Sequence, residues 1–129
     1  MLFRSRISSS DNGVQAVSVW RETHPIASYL VSIESYPYAV STDWYRPSPT
    51  DSMRIEFYNF PESVAGATAV QAKVKTMIGA YASRFGPYPF QDEKYGHSEF
   101  LFGGGMEHQT CTSLGTYNES VVEIGRAHV

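Results

Sequence analysis

The chain has 129 residues, enough for a real hydrophobic core but not a large one, and its 42% hydrophobic against 18% charged content excludes a disordered polypeptide. A formal net charge of −3 without a basic cluster argues against a nucleic-acid surface, and no apolar run approaches the length of a membrane span. The single cysteine, Cys111, excludes an internal disulfide, while nine Tyr and seven Phe lean toward β-rich structure.

Residues 1–13 are Ser-rich, lack the apolar core of a signal peptide, and close on Ser10-Asp11-Asn12-Gly13, a turn signal. Residues 14–20 set Val14, Ala16, Val17 and Val19 against Gln15 and Ser18, the pattern of a strand. Residues 22–25 are a connection, and residues 26–35 read as a second strand with Ile26, Tyr29, Val31 and Ile33 buried. These two strands are expected to pair as a hairpin. Residues 36–52 carry Pro37, Pro47 and Pro49 among polar residues and read as a linker or a long irregular crossing. A domain boundary is expected there, a surface loop inside one domain being the alternative.

Residues 53–58 alternate Met53, Ile55 and Phe57 against Arg54, Glu56 and Tyr58, a third strand with two opposed faces. A helix is expected over 61–85. Pro61 suits its first turn, and Val64, Ala67, Val70, Val74, Met77, Ile78, Tyr81 and Phe85 recur at three- and four-residue spacing to form one core-facing stripe. Gly86-Pro87 ends it. Residues 88–96 are turn-rich, and residues 98–102 and 106–112 have strand-like composition on either side of Gly103-Gly104-Gly105. Residues 113–118 read as a loop, and Asn118 is placed to cap a helix starting at Glu119.

The glycine run is followed at once by Met106, Glu107, His108, Gln109 and Thr110. Three glycines let a backbone approach another molecule closely, because no Cβ intervenes. The stretch is therefore either an ordinary hairpin bend or a strand edge shaped to hold a ligand. His97, Glu99, His108 and Cys111 are all competent metal ligands, but no close pair has the helical i, i+4 or C-x-x-C spacing of a metal site.

Gly104-Gly105-Met106-Glu107-His108 resembles the G-x-M-E-N exopeptidase motif of the aminopeptidase N-like zinc metallopeptidases, with His in place of the commoner Asn. Three further stretches agree with that family in order and spacing. They are His24-Pro25-Ile26-Ala27-Ser28-Tyr29-Leu30, Phe85-Gly86-Pro87-Tyr88-Pro89-Phe90 and Lys94-Tyr95-Gly96. The resemblance runs over residues 15–122. It implies an α+β chain: residues 1–45 as the closing strands of a β-sandwich-like N-terminal domain, and residues 46–129 as the opening strands and long helix of a thermolysin-like catalytic domain.

The resemblance also implies a role for each residue of the motif. Glu107 would anchor the free α-amino group of a peptide substrate, since a charge-assisted hydrogen bond to an ammonium is what tells a chain end from an internal amide. Gly104, Gly105 and Met106 would offer main-chain contacts in a β-augmentation mode, and His108 would orient neighbouring backbone.

The zinc of such an enzyme is held by H-E-x-x-H, and no such pair occurs in this chain. Laid on that pattern, Ala127-His128 matches only the second half, with Ile124 and Gly125 at the first His and Glu positions. The end of the chain therefore reads either as interrupted by foreign residues or as a degenerate copy. The expectation is a fragment of a zinc aminopeptidase, inactive and zinc-free by itself, that self-associates through uncovered apolar surface. The alternative is a non-catalytic peptide-binding or scaffold module derived from that family.

Overall fold

The computed structural model describes residues 5–101 and 103–115. Strands β1 (Ser5–Asp11) and β2 (Ala16–Arg21) form a two-stranded antiparallel hairpin. Its turn is built by its own polar side chains. Asp11 Oδ1 accepts from the Gly13 N–H at 2.8 Å, Asn12 Oδ1 accepts from those of Val14 and Gln15 at 3.0 and 2.8 Å, and Gly13 takes φ 81°. The expected partner of β2 was the 26–35 segment. The Asp-Asn-Gly turn instead pairs β2 with the chain just before it, because local closure costs less entropy than a longer loop.

Residues 26–35 are correspondingly not a strand. A 3-10 turn, Ser28–Leu30, closes with the Leu30 N–H on the Ala27 carbonyl at 2.9 Å, and only Ile33 makes a single bridge. Most of the expected buried set is open: Tyr29 is 65% and Ile33 77% exposed, Val31 is exposed too, and Ile26 is half-buried.

The second sheet has five strands in the order β3-β4-β5-β7-β6. These are β3 (Ala39–Tyr45), β4 (Met53–Asn59), β5 (Tyr95–Glu99), β6 (Gly105–Met106) and β7 (Thr112–Leu114). β3 lies where an irregular crossing was expected. Its three neighbouring prolines, Pro37, Pro47 and Pro49, all fall outside the seven residues that pair with β4, from Ala39↔Asn59 to Tyr45↔Met53. β4 pairs with β5 in parallel, β5 with β7 in parallel, and β6 with β7 antiparallel, which leaves β6 at the sheet edge.

β4 is buried on both faces. On one face Met53, Ile55 and Phe57 pack with Val74, Ile78 and Tyr88, and Tyr45, Phe90 and Tyr95 close the cluster. On the other face Tyr58 and Cys111 meet Trp20 and Tyr38, which docks the N-terminal hairpin onto the sheet. Glu56 also lies within the protein, bonded to the fully buried Lys94 ammonium at 2.9 Å and to the Tyr58 hydroxyl at 2.7 Å.

The single expected helix is two helices, α1 (Val64–Gln71) and α2 (Val74–Phe85), preceded by a 3-10 turn, Pro61–Ser63. At the break the Lys73 N–H bonds the Val70 carbonyl at 3.1 Å, the tighter i→i+3 pattern. Gln71, on the inner face just before it, donates to Asn59 Oδ1 at 2.8 Å. The apolar stripe is therefore buried at Ala67, Val74 and Ile78, while Val64 and Phe85 are exposed. Gly86, at φ 95°, ends α2 with its N–H on the Ala82 carbonyl.

The strand expected over 98–102 begins earlier, at Tyr95, because its register is set by parallel pairing with β4 rather than by its apolar residues. Of the strand expected over 106–112 only the two ends are strand, Met106 in β6 and Thr112 in β7, and β7 runs on through Ser113 and Leu114 into the expected 113–118 loop. Phe102, the helix expected from Glu119 with its Asn118 cap, and the Ile124–Val129 segment lie outside the described residues.

Candidate substrate-anchoring site

The glycines end in a defined edge. Gly104, at φ 96°, adopts the left-handed conformation, and its carbonyl accepts from the Gly115 N–H at 2.8 Å. Gly105 and Met106 then pair with Leu114 and Ser113. Immediately afterwards the His108 N–H turns back to the Met106 carbonyl at 3.0 Å, and the Cys111 N–H bonds the His108 carbonyl at 3.3 Å. Glu107 therefore sits at the bend where the chain leaves the sheet.

Two cavities flank this bend. One, of about 370 Å³, is walled by Tyr29, Tyr88, Phe90 and Tyr95, and it contains Glu107, His108 and Gln109. The other, of about 470 Å³, contains Met106, Glu34, Phe100 and Ser113. Glu107 and Met106 thus face different cavities, as successive residues of an extended edge do. Tyr29 and His108 line both and form the partition. His108 Nδ1 lies 2.8 Å from the Leu30 carbonyl oxygen. A carbonyl only accepts, so that nitrogen carries the proton, and the ring bolts the bend to the 3-10 turn.

The aromatic wall is electrically quiet. Burial pushes the Tyr95 phenol up to about 12 and the Tyr88 phenol well above its ordinary value. The Tyr88 hydroxyl donates to the Gln109 carbonyl at 3.1 Å. Behind the wall, His97 is bonded through Nε2 to the Tyr95 hydroxyl at 3.1 Å, and burial holds it down at about 4, so it is neutral near pH 7. Among the described residues lining the aromatic cavity, Glu107 is the only one with a carboxylate.

The sequence-predicted site residues thus meet at one bend, but the cleft owes its shape to residues that received no role: Tyr29, Leu30, Tyr88, Phe90 and Tyr95. Their signal lay in the three upstream stretches, 24–30, 85–90 and 94–96. The four possible metal ligands do not converge. Glu99 accepts from the Phe60 N–H at 2.8 Å, His108 is turned to Leu30, and Cys111 is buried, with its thiol pushed up to about 12 by that burial. Among the described residues no three His, Cys, Asp or Glu side chains are grouped to hold a metal ion.

No family model and no curated protein matches the sequence. Solved structures do. A variant of an M1 zinc metallopeptidase from Deinococcus radiodurans, bound to a Tyr-Ser-Ala substrate, superposes with a TM-score of 0.83 at 18% identity over 99% of this chain. The fold is that of part of an M1 zinc metallopeptidase. A two-domain M1 zinc metallopeptidase variant bound to L-tryptophan matches equally, with a TM-score of 0.83 at 18% identity over 99% of this chain. Legionella pneumophila aminopeptidase A, in complex with aspartic acid, gives 0.75 at 16% identity over 88% of this chain. This chain spans 30% of each of the first two chains and 14% of the third.

Proposed function

We propose that this chain is the substrate-anchoring segment of a zinc-dependent aminopeptidase, in which Glu107 receives the α-ammonium of a peptide. The observation that carries the reading is a lone carboxylate at the end of a glycine edge strand, set in an aromatic cleft. An ammonium gains there from a charge-assisted hydrogen bond and from the faces of Tyr29, Tyr88 and Tyr95. The edge of β6 offers unpaired backbone groups to an extended peptide, with Gly104, Gly105 and Met106 contributing main chain. His108, tied to Leu30, holds the bend that aims Glu107.

Cleavage requires residues beyond these. The described side chains furnish no metal site, so no chemical step is assigned to them, and zinc belongs to the parent enzyme. The division into residues 1–45 and 46–129, as the end of one domain and the start of a thermolysin-like one, is part of the same proposal, as is the inactivity of this chain by itself. β3 ends at that line and pairs with β4 beyond it, so the five-stranded sheet takes in residues from both sides.

The reading is tested by NMR titration of this chain with a short peptide, free or N-acetylated. The free peptide is expected to shift the Glu107 and Gly105 resonances and the acetylated one to leave Glu107 unmoved. Equal responses to both would sink the ammonium-anchor assignment.

A further inference from the structure

The segment leaving β2 is tied to the turn before β5 by a polar seam. Thr23 donates its backbone N–H to Glu93 Oε1 at 2.8 Å and its hydroxyl to the same oxygen. His24 Nε2 meets Asp92 Oδ1 at 2.9 Å and Oδ2 at 3.2 Å, and its ring stands edge-on to Phe90 with centroids 5.2 Å apart. Glu22 Oε1 accepts from the His24 N–H at 3.1 Å and from Gln109 Nε2 at 3.5 Å.

One feature of this seam is chemically incomplete. Glu22 immediately precedes Thr23, whose N–H and hydroxyl both go to Glu93, so the two carboxylates share this seam. The Oε2 atoms of both are buried with no hydrogen-bonding partner among the described residues. Two ionised carboxylates only accept, so they repel; with one proton between them they form a strong hydrogen bond. A single proton held between the two carboxylates would supply the donor that neither oxygen finds among the described residues.

We propose that the seam is a proton-operated latch, in which Glu22 and Glu93 share one proton and a protonated His24 holds Asp92. It lies beyond the substrate-anchoring reading and stands whether or not that reading does. The latch adjoins the aromatic cleft, because Phe90, Gln109 and Tyr88 are both its neighbours and the cleft's lining. Closing it draws the segment after β2, together with Gln109, onto the 88–93 turn.

Among the described residues, the charged and titratable groups facing the latch are Glu22, His24, Asp92 and Glu93, with the neutral Tyr88 phenol beside them. Lys94, next in sequence, is engaged by Glu56 instead. Burial, then the Glu93 carboxylate, hold Glu22 above its ordinary 4.5, against the pull of the His24 N–H. The hydrogen bond to Asp92 holds His24 above 6.5. Both are raised, so both contributions are complete below the unfolded values and are lost as pH rises through the folded ones. The latch therefore closes on acidification.

The test is amide hydrogen exchange across pH on the intact chain, taking protection at Thr23 relative to Ile55 in the core so that global unfolding cancels. The ratio is expected to fall as pH rises from below 4.5 to above 6.5. Glu93→Gln keeps an acceptor for Thr23 and supplies its own donor to Glu22, so it should abolish the acidic step and leave the histidine step. His24→Gln should do the reverse. A flat ratio in the unsubstituted chain, or an acidic step unchanged in Glu93→Gln, would overturn the latch. Carboxyl titration by carbon NMR gives a second readout: Glu22 should titrate above 4.5 in the unsubstituted chain and lower in Glu93→Gln.

Discussion

At Gly96, between β4 and β7, nothing larger than hydrogen fits. A Cβ there would lie 2.5 Å from the Glu56 carbonyl oxygen and 3.4 Å from Cys111 Sγ. The obstacle at 2.5 Å is backbone of the neighbouring parallel strand, which cannot swing aside. Gly96→Ala is expected to destabilise the chain by at least the ~1–3 kcal/mol typical of overpacking, measured as a lowered denaturation midpoint with an unchanged slope. Gly104→Ala is a different case. Its Cβ would meet nothing within 4 Å, so the cost is only that of a positive φ, about 1 kcal/mol or a little more. The glycine run, which reads in the sequence as one feature, thus acts through conformation rather than close packing at this position. Glu107 and His108 were singled out in the sequence by the motif they resemble, and their place at the bend follows from it. The Leu30 carbonyl that holds His108 was not, since a backbone oxygen carries no residue signature.

Among the elements, β4 was visible from its alternation, yet Glu56 and Tyr58 of the opposite face are buried too, and Arg54 is half-buried. Arg54, Glu56 and Tyr58 make the second of the two opposed faces read in the sequence. Trp20 of the N-terminal hairpin and Tyr38 pack on it, and Glu56 is held by Lys94, 38 positions later. Alternation reports which side chains are polar, not whether another layer covers them. β3 was hidden because prolines around it drew attention away from a proline-free stretch. The break between α1 and α2 was hidden because three- and four-residue spacing continues across a short 3-10 step.

Two element-scale predictions follow the buried polar groups. Glu99→Ala removes the acceptor of the Phe60 N–H where β4 passes into the helices, and should cost about 1–3 kcal/mol in chemical denaturation. Glu56 is pushed up by burial but pulled further down by the Lys94 ammonium, so its net value lies below 4.5. Its contribution is complete above pH 4.5 and is lost as pH falls through its folded value. Lys94→Met leaves that carboxylate without its buried partner and should cost about 3–5 kcal/mol, as breaking a buried pair does, with a shallower acid dependence.

For the whole molecule, His97 adds to the acid sensitivity. Its folded value of about 4 makes its contribution complete above 6.5 and lost as pH falls toward 4. Thermal stability should therefore decline below pH 6.5, in the range where the Glu22–Glu93 and His24–Asp92 seam tightens, and a Tm series over pH reads the global term. Tyr29, Ile33 and Leu101 are 65%, 77% and 86% exposed. Surface of this kind is expected to drive self-association, so light scattering should report a dimer or larger species, and a clean monomer at high concentration would count against uncovered interfaces. The same chain is expected to bind no stoichiometric zinc, which elemental analysis checks.

The central claim, that Glu107 recognises a free chain end, is tested most directly by kinetics in the protein that carries this segment together with a zinc site. Glu107→Ala should lower kcat/KM on free N-termini by roughly 1.5–3 kcal/mol, about ten- to over a hundredfold, with Glu107→Gln in between. The slow cleavage of N-blocked peptides, which make no ion pair, should change little. Equal losses on free and blocked peptides would contradict the account and leave Glu107 a structural residue of the bend.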